Sequence, residues 1–186
     1  MNFNTHFDLV GQHAFLSASR YHWVNYDEAK VAYSFSKYLA TQRGTQLHDF
    51  ARRCIDLKIK LPKTKRALNM YVNDAIGYRM RPEQPLYYSE NAFGTADAIS
   101  FLDQTLRVHD LKTGVIPVSM KQLEIYSALF CLEYTVNPKE IEIELRVYQT
   151  DEIIVYKPEP EEILEIMHKI VLFDRKIEEL KSETED

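Results

Sequence analysis

Asp97, Asp110 and Lys112 are the residues of this 186-residue chain whose types and spacing could do chemistry. The stretches Gly94–Phe101 and Leu106–Gly114 read as the two strands of a β-hairpin. Asp103-Gln104 is not a favoured pair for a two-residue type I′ turn, so a four-residue loop over Leu102–Thr105 is expected. Either loop pairs Phe101 with Leu106. Counting back sets Ile99 opposite Val108 and Asp97 opposite Asp110. Side chains alternate along a strand, so Asp110 and Lys112 share a face and Lys112 lies diagonal to Asp97. Directly opposed side chains have Cβ atoms about 4.5–5.5 Å apart, and like charges there are destabilising. The same face carries Ile99, Phe101, Leu106 and Val108, which favour burial. Two carboxylates at the end of an apolar face call for a counter-charge. A divalent cation such as Mg²⁺ or Mn²⁺ supplies it, because carboxylate oxygens suit hard metals. Lys112 adds a further charge and a water-activating amine. The same residues also fit a partly exposed hairpin whose charges are merely solvated.

The next element bears on that choice. Gln122 and Tyr126 stand at i, i+4, so they project from one face of a helix running from Met120 to about Tyr134. Gln122 equally fits the N3 position of a capping box opened by Ser119.

Gly94-Thr95-Ala96-Asp97, then Asp110-Leu111-Lys112-Thr113-Gly114, then Gln122-x-x-x-Tyr126 resemble the ordered motifs of the PD-(D/E)XK nuclease superfamily. More narrowly they resemble the RecB-like nucleases and their small phage and prophage relatives. Upstream, Gly44-x-x-x-His48 resembles the family's first motif, in which the histidine is a metal ligand; by itself His48 would read as an ordinary helical residue. The resemblance covers roughly residues 13–157. It implies a restriction-endonuclease-like core and Mg²⁺- or Mn²⁺-dependent hydrolysis of DNA phosphodiesters, as an exonuclease in phage or prophage recombination, replication or repair. It also implies His48, Asp97, Asp110 and the backbone carbonyl of Leu111 as metal ligands. Lys112 would position or deprotonate the attacking water, while Gln122 and Tyr126 would orient Lys112 or contact a phosphate or sugar. Glu90 falls where many family members carry an acid on the preceding strand, and fits as well a solvent-facing position. Several RecB-like nucleases hold an iron–sulfur cluster on four cysteines. Cys54 and Cys131 are the only two here, both in apolar helical patterns, so no cluster and two buried free thiols are expected. None of these roles needs base-edge readout, so cutting without sequence preference is expected. A catalytically inactive DNA-binding module, or an adaptor subunit of a recombination complex, is the alternative.

The elements that must position these residues follow from periodicity. Ser17 or Ser19 caps a short helix with Tyr21, Trp23 and Val24, Trp23 and Tyr26 reading as packing aromatics. Ser17, Ser19 and Arg20 are weaker candidates to face DNA. Val31, Phe35, Tyr38 and Leu39 give a helix over 27–42 that Gly44 interrupts. Thr45 then caps a second helix with Leu47, Ala51, Cys54 and Ile55 as its buried stripe. A helix from Thr64 to about Arg79 precedes Pro82 and Pro85, which open an extended segment, and Leu86–Glu90 reads as a strand. Gly114–Ser119 links hairpin and helix. Residues 140–147 alternate strictly, with Ile141, Ile143, Leu145 and Val147 inward and Glu140, Glu142, Glu144 and Arg146 on a wet face. Ile153–Tyr156 pairs back. Pro158 and Pro160 start a last helix with Ile163, Ile166, Met167, Ile170 and Phe173 buried, fraying after about Leu180. The expected architecture is one α/β domain over 1–186, a three-layer sandwich with a central mixed sheet flanked by helices. Its parts are a helical region over 15–80, a core over 86–157 and a C-terminal helix over 159–180.

Composition agrees with a globular chain, at 45% hydrophobic and 27% charged residues. No apolar run is long enough to span a membrane, and the N-terminus has no basic or apolar leader, so a cytoplasmic protein is expected, and the resemblance implies a bacterial or phage-infected host cell. Net charge is −5, but it is unevenly spread. Residues 139–186 hold 15 acidic and 7 basic side chains, whereas residues 1–138 hold 13 acidic and 16 basic. The acidic end offers a surface for a second copy or a recombination protein. Arg52, Arg53, Lys58, Lys60, Lys63, Lys65 and Arg66 crowd one stretch, which reads either as a solvated helix end and loop or as a ridge contacting DNA phosphates.

Overall fold

Alternating apolar runs build a mixed five-stranded sheet, and the amphipathic segments cover both of its faces. The computed structural model describes residues 5–9, 11–114 and 117–184. The chain divides into two compact units, Met1–Thr45 and Gln46–Asp186. The order of elements is α1 (Glu28–Asp56), α2 (Ala67–Gly77), β1 (Arg81–Ser89), β2 (Ala92–Leu102), β3 (Thr105–Lys112), α3 (Lys121–Glu133), β4 (Glu142–Gln149), β5 (Glu152–Tyr156) and α4 (Pro160–Thr184), with 3₁₀ turns at Phe7–Leu9, Ala18–Asn25 and Pro138–Glu140. The strands lie in chain order, and all neighbours are antiparallel except β3 and β4. That parallel step is what α3 bridges.

In the first unit, Ala18–Asn25 is a 3₁₀ segment whose Ser17 makes no side-chain cap; Ser17 instead accepts the Trp23 indole N–H on its carbonyl at 2.9 Å. Trp23 and Tyr26 are half-buried. Helix α1 is continuous where two helices were expected. A mid-helix glycine costs only about 1 kcal/mol relative to alanine. Thr45, rather than capping a new helix, donates to the Thr41 carbonyl at 3.2 Å, as Thr41 does to Lys37 at 3.1 Å.

Two cores sandwich the sheet of the second unit. Leu86, Ile99, Leu106, Val108, Leu145 and Val147 pack under Leu123, Leu129 and Cys131 of α3 and Ile163 of α4. On the other face Ala98, Leu111 and Tyr148 meet Ala51, Cys54 and Ile55 of α1 and Tyr71, Val72 and Ala75 of α2. Both cysteines are free and buried, one in each core, and burial pushes the Cys131 thiol up to about 12.

Several boundaries differ from the sequence reading. The turn is the two-residue Asp103-Gln104, with φ of 50° and 58° and Leu102 paired to Thr105; aspartate tolerates the left-handed region, whereas Gln104 stands where glycine is preferred. α2 starts at Ala67 because Asn69 and Asn73 hold the preceding segment in a loop; the Asn73 side chain bonds both backbone groups of Leu61 at 2.9 Å. β1 begins at Arg81 and includes both Pro82 and Pro85, which an edge strand tolerates. The second face of β4 is wet only at its start, where Glu142 is exposed; Glu144 and Arg146 are half-buried. Arg146 reaches Asp74 and Tyr78 of the α2 segment at 3.2 and 2.9 Å, and the Tyr148 hydroxyl donates to Asp74 at 2.7 Å. Helix α4 continues past Leu180, and Phe173 is 57% exposed because the core ends near Ile170. Val115 and Ile116 of the Gly114–Ser119 link, and the first four residues, lie outside the described residues. No helix among the described residues is long and apolar enough to cross a membrane.

Candidate metal centre

Strand register carries the site. Phe101 faces Leu106, Ile99 faces Val108, and the recorded ladder ends at Ala98 opposite His109. Ala96 and Ile99 pack in one core and Ala98 in the other, so the in–out alternation slips at Asp97. There the Leu111 N–H donates not to a strand carbonyl but to the Asp97 carboxylate, at 3.0 Å. The other partner of Asp97 comes from α1: His48 Nδ1 lies 3.4 Å from Asp97 Oδ2. Burial, and then the charge of Asp110, push the Asp97 carboxyl up to about 6, against the pull of the Leu111 N–H and His48.

The third donor is Glu83. One donor atom each from His48, Glu83 and Asp97 falls within 4.8 Å of the others. Glu83 sits on β1 between Pro82, opposite Ala98, and Gln84, opposite Ala96, which puts it level with Asp97. Its φ of 48° turns it out of regular strand geometry. Of the expected donors His48, Asp97 and Asp110, the first two fall in this group together with Glu83, and Asp110 lies outside it but close enough for its charge to act on Asp97. The second-tier candidate Glu90 lies elsewhere. It occupies the β1–β2 turn, which Asn91 ties to Asp174 and Glu178 of α4, at the opposite end of β1 from Glu83.

Asp110 anchors a second, linked group. It is 3% exposed; its Oδ1 accepts from Lys112 Nζ at 2.9 Å, and its Oδ2 is buried with no partner among the described residues. Lys112 also donates to Gln122 Oε1 at 3.0 Å, and Gln122 Nε2 donates to the Tyr126 hydroxyl at 3.0 Å. Gln122 thus faces the hairpin. The N-cap position is Met120, and Ser119 accepts from the Lys121 N–H instead. Gly94 explains why Tyr126 can lie over the strand: a Cβ there would stand 2.9 Å from the Tyr126 ring.

The basic run splits in two. Arg52 and Arg53 are tied to Asp49 at 2.9 and 2.7 Å along α1. Lys58, Lys60, Lys63, Lys65 and Arg66 are exposed in the α1–α2 loop and make no ion pair among the described residues.

A buried carboxylate oxygen without a partner is costly to maintain. With an imidazole and two more carboxylates beside it, the donor chemistry suits a hard divalent ion in a mixed N/O site. These features define an α/β protein with a mixed five-stranded sheet and a candidate divalent-cation centre on its β1–β2–β3 face. Comparison with protein-family models, with curated proteins and with solved structures gave no match to this chain.

Proposed function

We propose that this protein is a Mg²⁺- or Mn²⁺-dependent DNA nuclease with a restriction-endonuclease-like core, acting in the cytoplasm on recombination, replication or repair intermediates. The observation that carries the reading is Asp110: a buried carboxylate with one oxygen on Lys112 and the other unsatisfied, beside the His48–Glu83–Asp97 donors. His48, Glu83, Asp97 and Asp110 would hold the ion, with the Leu111 carbonyl as a further ligand. A bound divalent ion would supply Lewis acidity at the scissile phosphate. The protein's own groups do the rest. Lys112, gripped between Asp110 and Gln122, presents its ammonium to the attacking water and to the phosphate oxygens. Tyr126 holds Gln122, so the lysine is positioned through two linked hydrogen bonds.

Replacing Asp110 with Ala, or Lys112 with Ala, should lower DNA hydrolysis by about 10²-fold or more while leaving the circular dichroism spectrum unchanged. The assay uses end-labelled single-stranded, double-stranded, nicked and flapped DNA with Mg²⁺, Mn²⁺ or chelator. Wild-type cutting rates in the Asp110 variant, with the same metal requirement, would refute the assignment.

A further inference from the structure

Strand β1 begins at Arg81, opposite Ile99, so Ser100, Phe101 and Leu102 at the end of β2 pair with β3 alone. Against that uncovered edge lies an open cavity of about 230 Å³. Three of its lining residues form an aromatic cluster: Phe101 packs on Phe130 at 5.3 Å between centroids, and Phe130 on Tyr134 at 4.9 Å. Phe101 and Tyr134 nonetheless remain 38% and 52% exposed, so ring surface is available to a ligand. Arg79 and Arg81 also line the cavity. Arg81 touches only the Gln84 amide oxygen, at 3.4 Å, and neither guanidinium has a carboxylate partner among the described residues. Ser100 lines it too, and its hydroxyl is buried without a hydrogen-bond partner among the described residues.

The cations continue beyond it. Arg79 takes φ of 52° just past the end of α2, where a glycine is usual. It also lines a second cavity of about 460 Å³, shared with Lys58. In the other direction, Arg81 is two residues from Glu83 of the metal centre on the same strand. Phe101 is four residues from Asp97 along β2, roughly 13 Å at the usual strand rise.

Unpaired guanidiniums want an anion, and exposed rings want a flat apolar surface. Inorganic phosphate would leave the rings unused, and an apolar ligand would leave the arginines unused. A nucleotide uses both, as single-strand binders do with stacking rings beside a basic track. A base inside a duplex has both faces covered by its neighbours, so a base lying on these rings is one that has left the stack.

We propose that this cavity is a subsite for one unpaired nucleobase and its flanking phosphate, on the strand that runs to the metal centre. The inference rests on the nuclease reading and adds a substrate class to it: single-stranded DNA, or a duplex with an unpaired end.

The test is a short oligothymidine carrying one 2-aminopurine, titrated with the full chain in chelator so that nothing is cut. The expected result is binding with quenched emission. Phe101→Leu should remove most of the quench. Arg79→Gln and Arg81→Gln should each weaken binding about five-fold and flatten the dependence of log K on log salt by about 0.7. Thermal unfolding of each variant identifies any that fail to fold, and the three sites report independently. Unchanged quench and affinity in all three variants would overturn the proposal. So would a blunt duplex that competes as well as the single strand, or loss of self-association in these variants, which would assign the edge to a second copy of the chain. Wild-type protein that quenches the probe but cuts no DNA with Mg²⁺ or Mn²⁺ would end the nuclease reading and leave the subsite standing. Cutting without quench would do the reverse.

Discussion

Asp97 on β2 adjoins Ala98, the partner of His109 on β3, and the two pKa values move in opposite directions because burial favours the neutral form of each. Burial and Asp110 keep the Asp97 carboxyl at about 6 in the metal-free protein, above its ordinary 3.8. The folded state therefore keeps a proton that the unfolded state releases, and this group's contribution to stability fades as pH rises through that window. His109 is pulled down to about 3 from 6.5, by burial first and then by Arg146 and Arg107. Its ring touches the Tyr148 hydroxyl at 3.2 Å and has no room for hydrated charge. Here the unfolded state binds the extra proton, so the contribution grows as pH rises from about 3 to 6.5. In chelator, Asp97→Asn should gain stability relative to the parent as pH rises between about 4 and 6, by up to about 1.4 kcal/mol per unit. His109→Gln should lose stability relative to the parent over the same range. Urea unfolding across that range measures both, and parallel curves for parent and variant would contradict the corresponding assignment.

At the scale of elements, Lys112 is placed by a contact between a strand and a helix that contains no charge. Gly94 lets the Tyr126 ring lie against β2, and Tyr126 holds Gln122, which holds Lys112. Gly94→Val should push the ring aside and cut hydrolysis about ten-fold or more, since small misplacements near the chemistry are costly. Mn²⁺ affinity, measured by isothermal titration, should change little, because none of the ion's candidate donors touches that contact. Equal losses of affinity and rate would mean that the sheet itself had shifted. The hairpin register was legible beforehand from Leu102 to Ala98, since one pair, Phe101 with Leu106, propagates by alternation, but the expected Asp97–Asp110 pair lies beyond the ladder, where the alternation slips. Its turn was not legible, because Gln104 follows Asp103 into the left-handed region, which glutamine disfavours. Glu83 was also missed. Its position depends on β1–β2 pairing, and that register shifts between Tyr87 and Ser89. The one available signal was an acid flanked closely by two prolines on an extended segment.

For the whole molecule, the distribution of charge matters more than its sum. The exposed loop cations Lys63 and Lys65 lack ion-pair partners among the described residues, whereas Arg52 and Arg53 spend theirs on Asp49. The loop is therefore the better candidate for phosphate contact. Lys63→Glu with Lys65→Glu should weaken DNA binding at low salt and reduce the salt slope by about one per lysine, with no change in any preference among sequences. Filter binding from low to moderate salt reads this, and an unchanged slope would assign the loop to solvent.

Alternation, helical spacing and the Gly-Thr-Ala-Asp, Asp-Leu-Lys and Gln-x-x-x-Tyr strings were enough to indicate a mixed sheet with helices on it and to pick out the residues that meet in the Lys112 hydrogen-bond chain. These are local patterns, and local geometry transmits them over a few residues without loss. Which acid joins His48 and Asp97, which arginines keep free guanidiniums, and which face of β4 is covered were decided only when distant segments packed. Those contacts join residues tens of positions apart, whose meeting depends on summed burial across two cores rather than on any spacing in the chain.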